Sequence, residues 1–289
     1  MRTLAHDTSV ESEQRQLEAL RQLPPWRKLA LANAMNRMVQ RLAIQGLCRR
    51  FPDVPDATIQ QIFRQQRLGS GLATRLVQSP DLVEQVMQDD LIALTIQIAD
   101  VFEALNIPYL IGGSVAGMVW GEYRSTNDAN ILAAVNEAHV GPLIRTLHPR
   151  FYLHAPEIFE AIRAARDPAL PVQVRPSFAI LHPATAFKID VFVSSDRPFE
   201  RSEFARRVHE VVAVEPEQRA YLATPEDLIL AKLEWYELGQ RVSNQQWRDI
   251  QAMIKLQGPL LDHAYLRTWA DQLAVGDLLE RAFAEADIA

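Results

Sequence analysis

Cysteine is nearly absent from this chain of 289 residues, which contains Cys48 alone. A single cysteine excludes a disulfide framework and a metal centre built from cysteines, and it fits the reducing cytoplasm. Because Cys48 lies in an apolar helical pattern, we expect it to be a small buried side chain. The seven histidines show no metal-ligand spacing: His148, His154 and His182 are scattered. We therefore expect a cytoplasmic protein without a cysteine or histidine metal cluster.

Long apolar runs are also missing from the sequence. No run approaches the roughly 18 residues that a membrane-spanning helix needs. Residues 1–18 are polar and acidic, and they lack the apolar core of a signal peptide. Internal repeats and low-complexity tracts are absent as well. We therefore expect no membrane partner and no cleaved export signal.

Positive charge is scarce overall but concentrated in one region. The chain has a net charge of −6, so its total charge implies no polyanion partner. Residues 24–78 carry nine Arg and Lys against two acids, a local excess of +7 that leaves −13 on the remainder. One interpretation is a surface that attracts RNA or another phosphate-rich substrate. The other is an ordinary helical domain whose arginines pair with acids elsewhere, which the sparse aromatic residues of this region favour slightly.

The distribution of predicted elements indicates three segments. Residues 1–80 are predicted to form a helical N-terminal domain, with a boundary near Ser79-Pro80-Asp81. Residues 81–223 alternate between apolar strands and helices, which predicts an α+β core with a mixed sheet. Residues 224–289 are predicted to form a C-terminal helical cap. Apolar residues make up 48% of the chain, enough for a sizeable core.

Several local patterns predict particular elements. The apolar residues Leu31, Met35, Met38 and Leu42 recur at helical spacing, which predicts the inward face of a long helix. Glycines at 69 and 71 predict a break between two further helices. The turn at residues 182–185 predicts a hairpin between strands at 172–182 and 186–193. Helix starts are predicted at Thr224 and Ser243, because each begins a capping-box pattern.

A double glycine, Gly112-Gly113, follows the predicted strand Tyr109–Ile111 and begins a helix together with Ser114. Glycine permits positive φ and the close approach of a ligand to the backbone, and a helix start can bind phosphate. The pattern matches neither the Rossmann nor the P-loop motif. Taken alone, it is better explained as an ordinary tight turn between a strand and a helix.

Acidic and amide side chains stand on two predicted strands. Asp128 and Asn130 are two residues apart, so both point to one face of their strand. Asp190 interrupts the apolar strand at residues 187–193, where a carboxylate is costly unless it is paired or bound to a metal. One interpretation is a buried ion pair between Asp190 and Lys188 or an arginine. The other is a magnesium–nucleotide site, if the two strands are neighbours.

These motifs together resemble the nucleotidyltransferase superfamily with the DNA polymerase β-like fold. Gly112-Gly113-Ser114, Asp128 and Asp190 match the family pattern directly. The segment Arg124-Ser125-Thr126-Asn127-Asp128 is similar to the bacterial branch related to abortive-infection toxins. The resemblance spans residues 107–286 and also includes Thr224-Pro225-Glu226-Asp227. It implies a nucleotidyltransferase-like mixed sheet with a C-terminal helical bundle.

The resemblance implies a catalytic centre with magnesium as its cofactor. Asp128 and Asp190 would be the catalytic residues, holding Mg²⁺ and aligning an acceptor hydroxyl with the α-phosphate of an NTP. The implied metal ligands are Asp128, Asn130 and Asp190. The implied nucleotide-binding residues are Gly112, Gly113, Ser114, Arg124 and Lys232.

Three positions leave alternatives open. Lys232 is interpreted either as a phosphate contact or as a solvated or helix-pairing lysine with Glu234 or Glu237 nearby. Asp249 is expected either to orient Lys232 or Arg248 or to face solvent. Asn130 stands where the family has its second aspartate, and its neutral amide removes one negative charge from the metal site. The first hypothesis is therefore an NTP-using transferase weakened by Asn130, acting on an RNA or protein acceptor and with an antitoxin protein as a candidate partner. The alternative is an inactive relative that binds a nucleotide or a protein partner.

Overall fold

The computed structural model describes residues 3–4, 7–76, 90–121, 124–148, 150–171 and 174–286. For residues 69–76 it describes the backbone alone. The predicted boundary at residues 79–81 lies outside the described residues.

Helices and strands alternate through the middle of the chain, and helices alone occupy both ends. The helices are α1 Val10–Gln22, α2 Pro25–Arg50, α3 Asp56–Leu76, α4 Leu91–Ala104, α5 Gly113–Trp120, α6 Glu137–Leu147, α7 Ala155–Ala165, α8 Pro198–Arg206, α9 Pro225–Leu238, α10 Asn244–Gln257, α11 His263–Gln272 and α12 Gly276–Ala286. The strands are β1 Tyr109–Ile111, β2 Asp128–Ala133, β3 Ser177–His182, β4 Phe187–Val193, β5 Val208–Val214 and β6 Glu217–Leu222.

The strands form a six-stranded mixed sheet in the order β3-β4-β2-β1-β6-β5. β2 runs parallel to β4, and β1 runs parallel to β6. β3 and β4 form the predicted antiparallel hairpin, and β5 and β6 form a second antiparallel pair that was not predicted. The predicted α+β class with a mixed sheet is therefore confirmed.

The chain divides into two compact units. The first contains Met1–Ala30, Leu110–Tyr123 and Asp196–Ala289, and the second contains Leu31–Tyr109 and Arg124–Ser195. These units do not coincide with the three predicted segments, since each unit combines stretches that are distant in sequence. The division at residues 80 and 223 stays a prediction.

In the first unit, α1 packs against α10 through a buried ion pair. Lys255 Nζ lies 2.7 Å from Glu13 Oε2, and both side chains are almost fully buried. Arg21 donates to the backbone oxygens of Lys255 and Leu256, at 2.7 and 2.8 Å. An ammonium and a carboxylate that are buried together need each other, because either one alone would be an uncompensated charge.

The predicted helix starts at Thr224 and Ser243 are confirmed in the same unit. Thr224 Oγ1 accepts a hydrogen bond from the Asp227 backbone N–H and donates to Asp227 Oδ2, at 3.2 and 2.7 Å. Ser243 Oγ accepts from the Gln246 backbone N–H at 3.3 Å. Each side chain satisfies a backbone donor that has no partner within its own helix.

In the second unit, the strands follow the expected alternation of side chains. Along β2 and β4, every second residue is buried and the residues between them are partly exposed. The buried set of β4 is Phe187, Ile189, Val191 and Val193. This alternation places the polar residues of both strands on the opposite face, where the candidate site lies.

Three predictions about the basic helices were wrong. Helix α3 runs through Gly69 and Gly71 without the predicted break, because a glycine weakens a helix by only about 1 kcal/mol and does not forbid it. Met38 and Leu42 of α2 are 57% and 59% exposed, since the buried face of this helix lies elsewhere and includes Asn36. Cys48 is exposed rather than buried. Helical spacing predicted the helix but selected the wrong face.

Among the described residues, no helix combines the length and the apolar character needed to cross a membrane.

Candidate functional site

The acidic and amide residues predicted as metal ligands meet on neighbouring strands of the second unit. In the parallel pairing of β2 with β4, Asn130 is opposite Asp190 and Asp128 is opposite Lys188. Residues that are opposite each other in adjacent strands project from the same face of the sheet. Asp128, Asn130 and Asp190 therefore share one partly exposed face, and the condition that the two strands be neighbours is met.

Lys188 forms an ion pair with Asp190 on this face. Lys188 Nζ lies 2.7 Å from Asp190 Oδ2, and the two side chains are 34% and 19% exposed. Burial raises the pKa of Asp190, an effect that the Lys188 ammonium opposes and that the nearby Asp128 carboxylate reinforces. The Asp128 carboxylate is therefore close enough to Asp190 to disfavour the charged form of Asp190. The ion pair proposed from the sequence as one explanation of Asp190 is present.

Asp128 is oriented by the segment that precedes its strand. Thr126 Oγ1 donates to Asp128 Oδ1 at 2.9 Å. The backbone N–H of Thr126 donates to Asn36 Oδ1 at 2.9 Å, and both Thr126 and Asn36 are buried. Since Asn36 belongs to α2, a buried amide on that helix fixes the approach to β2 and, through Thr126, the carboxylate of Asp128.

A cavity of about 490 Å³ opens beside Asp128 within the same unit. Its walls come from the middle of α3, from the segment before β2 and from the start of β4. Three of the lining residues are cationic, namely Arg67, Arg124 and Lys188, whereas Asp128 is the one acidic residue among the described lining residues. A polar cavity with this charge is suited to an anionic ligand.

Arg67 enters this cavity from α3 over an aromatic surface. Its guanidinium carbon lies 4.5 Å from the ring centre of Phe187 and 5.2 Å from that of Phe63. Arg67 Nη2 donates to Asn127 Oδ1 at 2.6 Å, and Nη1 is 3.5 Å from the backbone oxygen of Thr185. Burial lowers the pKa of Arg67 to about 10, so the side chain is still a cation at neutral pH.

The donor chemistry on this face fits a single magnesium ion. Mg²⁺ in nucleotide sites takes one or two carboxylates and completes its coordination with water and substrate phosphates. Asp128, Asn130 and Asp190 offer oxygen ligands of this kind, although Lys188 already contacts one oxygen of Asp190. Among the described residues, no group of three or more His, Cys, Asp or Glu side chains is placed to hold a metal. Two carboxylates and one amide are a weaker set than three carboxylates.

The glycine turn lies in the first unit, at the start of α5. Gly112 occupies the N-cap position, and Gly113 follows it with φ of 55°. A residue with a side chain rarely adopts this left-handed conformation, which explains why a glycine is needed at 113. Ser114 is buried in the first turn of the helix. The predicted order of strand, glycine turn and helix is confirmed, whereas phosphate binding there stays a prediction.

Lys232, on α9, is next to this helix within the first unit. Its Cε lies 4.0 Å from the position that a Cβ on Gly117 would occupy. Lys232 Nζ donates to Asp249 Oδ2 at 2.9 Å, and Asp249 also accepts from Gln245. The predicted contact of Asp249 with Lys232 is confirmed, while Glu234 and Glu237 pair with Arg197 and Arg241.

The predicted site residues thus fall into two groups. Gly112, Gly113, Ser114 and Lys232 belong to the first unit, and Arg124, Asp128, Asn130 and Asp190 belong to the second. Sequence reasoning missed Asn36 and Arg67. Nothing in the local sequence marks Asn36, whereas the local basic excess in residues 24–78 included Arg67 without distinguishing it from its neighbours.

Comparisons with known proteins add only a similarity in structure. No family model and no curated protein matches the chain. A nucleotidyltransferase-like antigenic protein from Paracoccidioides brasiliensis is similar in structure, with 20% identity over 68% of this chain and 94% of that one, at a TM-score of 0.41. The antibiotic-resistance factor ANT(2'')-Ia is similar with 10% identity over 66% of this chain and 96% of its own, at a TM-score of 0.41. At these values the likeness carries no conclusion about activity.

Proposed function

We propose that the protein is a magnesium-dependent nucleotidyltransferase that moves a nucleotide from an NTP onto an acceptor hydroxyl. One observation carries this proposal. Asp128, Asn130 and Asp190 share one face of two paired strands, beside a cavity lined by Arg67, Arg124 and Lys188. Oxygen ligands for a cation next to a cationic cavity are the two elements that binding of a magnesium–nucleotide complex requires.

The reaction makes and breaks one bond at phosphorus. The acceptor oxygen bonds to the α-phosphorus, the bond from that phosphorus to the bridging oxygen of the β-phosphate breaks, and pyrophosphate leaves. The acceptor proton passes to solvent water. Asp128 and Asp190 would bind the cation and orient the acceptor hydroxyl, with Thr126 holding Asp128 in place. Catalysis of this kind depends on positioning and on stabilising charge.

Bound Mg²⁺ would neutralise phosphate charge and would be held by Asp128, Asn130 and Asp190. Arg124 would contact the phosphates from the segment before β2. Gly112, Gly113, Ser114 and Lys232, in the first unit, keep the nucleotide-binding role that the family resemblance implies. Because Asn130 contributes a neutral oxygen, we expect weaker metal binding and slower transfer than three carboxylates would support.

A transfer assay tests the proposal. Each of the four common NTPs, labelled at the α-phosphate, is incubated with the wild type, Mg²⁺ and RNA, and label on RNA or on protein is measured. We expect transfer with at least one NTP, and we expect the Asp190→Asn variant to lose it at least hundredfold, since its charge is needed for the cation. Transfer that survives Asp190→Asn unchanged would rule out this site.

A second candidate is a relative that binds a nucleotide without turning it over. The ion pair between Lys188 and Asp190 favours it, because the ammonium lies where a cation would contact that carboxylate. Nucleotide-induced thermal stabilisation without label transfer supports this alternative. Metal-dependent turnover by the wild type excludes it.

The finer form of the proposal concerns biological role. The resemblance of residues 124–128 to the abortive-infection branch leads us to propose a toxin-type activity on an RNA or protein acceptor, restrained by an antitoxin protein. Expression in a bacterial host tests this role. We expect the wild type to slow growth and Asp190→Asn to leave it unchanged, whereas equal growth with both would remove the toxin role and leave the transferase activity standing.

A further inference from the structure

Helix α3 supplies one wall of the candidate site. Arg67, in the middle of this helix, lines the same cavity as Arg124 and Asp128. Arg67 is held over the ring of Phe187, the first residue of β4, and by the side chain of Asn127. Its contacts are therefore with the strand and the segment that carry the metal-binding candidates.

The hydrogen-bond partners of Arg67 are neutral. Lys188, the nearby ammonium on β4, is paired with Asp190 at 2.7 Å. Asn127 and Thr185 contribute neutral oxygens to Arg67, so neither cancels its charge. Arg67 Nε is buried without a hydrogen-bond partner. A half-buried guanidinium whose hydrogen-bond partners are neutral oxygens is stabilised by an anion that reaches its Nη atoms.

We propose that Arg67 of α3 binds a phosphate group of the substrate, together with Arg124 of the segment before β2. The basic N-terminal helices then take part in substrate binding through this arginine, not through a general attraction of nucleic acid. The inference deepens the proposed function and rests on it for the identity of the anion as phosphate. The phosphate belongs either to the NTP or to the acceptor.

The planar guanidinium suits this role better than an ammonium would. Arginine presents several donors in a fixed plane and matches a phosphate with two parallel hydrogen bonds. The rings of Phe63 and Phe187 hold that plane in one orientation, so little conformational entropy is lost when the anion binds. If Arg67 had only a structural role, it would pack in the same way, but replacing it would not change the affinity for the ligand.

Calorimetric titration of the full chain with inorganic pyrophosphate tests the proposal. Hydrogen bonds to a charged group contribute about 1.5–3 kcal/mol, so Arg67→Met is expected to weaken pyrophosphate binding by roughly tenfold to hundredfold. Arg64→Met is the matched control, because Arg64 is a half-buried arginine of the same helix that is not among the described lining residues. Should Arg67→Met fail to fold, Arg67→Lys keeps the charge and is expected to bind at least several-fold more weakly than the wild type.

A competition experiment separates the two sources of phosphate. If the NTP displaces pyrophosphate in the wild type, its own phosphates occupy the Arg67 site, and if both bind together, the site takes an acceptor phosphate. Both results support the inference. Equal pyrophosphate binding by the wild type and Arg67→Met would overturn it, while NTP binding with Mg²⁺ in that experiment would leave the proposed function intact. A wild type that bound neither compound would contradict both.

Discussion

Lys188 and Asp190 stand two residues apart on one strand and form an ion pair with 2.7 Å between Nζ and Oδ2. Asp190 is also directly opposite Asn130 on the neighbouring parallel strand. The Asp190 carboxylate therefore contacts the Lys188 ammonium and lies opposite the neutral amide of Asn130. A carboxylate at position 130 would make a stronger metal site. The balance between these two contacts decides whether the site holds magnesium tightly enough for chemistry.

Replacing Asn130 by aspartate adds a carboxylate directly opposite Asp190. We expect Asn130→Asp to lower the melting temperature without metal, because like charges repel, and to regain it when Mg²⁺ is added. Magnesium affinity should increase on the order of tenfold, equivalent to about 1.4 kcal/mol. Thermal denaturation with and without Mg²⁺ measures both effects. An Asn130→Asp protein that gains neither affinity nor transfer, beside a fully active wild type, would show that Asn130 does not weaken the site.

The burial of Asp190 predicts a pH-dependent cost to stability. Burial raises the pKa of this carboxyl, so the folded protein takes up its proton more readily than the unfolded chain does. The associated stabilisation is present below the unfolded pKa, which is about 3.9 for aspartate, and is lost as the pH rises through the higher folded pKa. Asp190→Asn should therefore gain stability relative to the wild type between pH 4 and pH 7.

Urea unfolding of the wild type and of Asp190→Asn at pH 4 and at pH 7 measures this difference in the free energy of unfolding. Asp53→Asn, at an exposed position, is the control for which we expect no comparable trend. A stability difference for Asp190→Asn that stays constant or shrinks with rising pH would mean that the Lys188 ion pair outweighs burial.

Asn36 is predicted to stabilise the approach to β2. Asn36→Ala removes the acceptor of a buried backbone N–H at Thr126, and an unsatisfied buried donor costs about 1–3 kcal/mol. Urea unfolding is expected to show a loss in this range. Thr126→Val keeps the backbone hydrogen bond but removes the hydroxyl that contacts Asp128, so it should weaken Mg²⁺ binding with a smaller loss of stability. Thr126→Ser should restore that binding; failure to do so would argue against a role for the hydroxyl.

The ion pair between Glu13 and Lys255 is predicted to hold α1 on α10. Lys255→Met leaves Glu13 as a buried unpaired charge, which costs about 3–5 kcal/mol. Adding Glu13→Gln to that variant should recover much of the loss, because no charge is then buried alone. Chemical denaturation of the two single variants and the double variant provides the measurement. Additive losses would show that the two groups do not stabilise each other.

The sequence predicted the strands of the candidate site well for a physical reason. An alternation of apolar and polar residues defines both a strand and the face that each side chain takes, so it predicts the shared face of Asp128 and Asn130 and the polar face that carries Asp190. That the two strands are neighbours is a finding of the structure. The glycine turn at Gly113 was equally predictable, because a positive φ favours glycine. Local patterns of this kind act over a few residues, and a single sequence contains them in full.

What the sequence did not predict depends on contacts between distant segments. Arg67 lies 60 residues before its partner Asn127, and Asn36 lies 90 residues before Thr126. Helical spacing on α2 favoured Met38 and Leu42 as core residues, yet the buried face contains Asn36 because a buried backbone N–H needs its amide. Periodicity reveals that a helix has an apolar face, but the partner that covers a face is determined by tertiary packing.

Nucleotide binding measured by calorimetry, with and without Mg²⁺, tests the central claim most directly. The four common NTPs are titrated into the wild type and into Asp190→Asn. We predict that the wild type binds at least one NTP more tightly with Mg²⁺ than without it, and that Asp190→Asn loses this dependence on metal. Absence of binding by the wild type to all four NTPs, or an unchanged magnesium dependence in Asp190→Asn, would contradict a magnesium–nucleotide site at Asp128, Asn130 and Asp190.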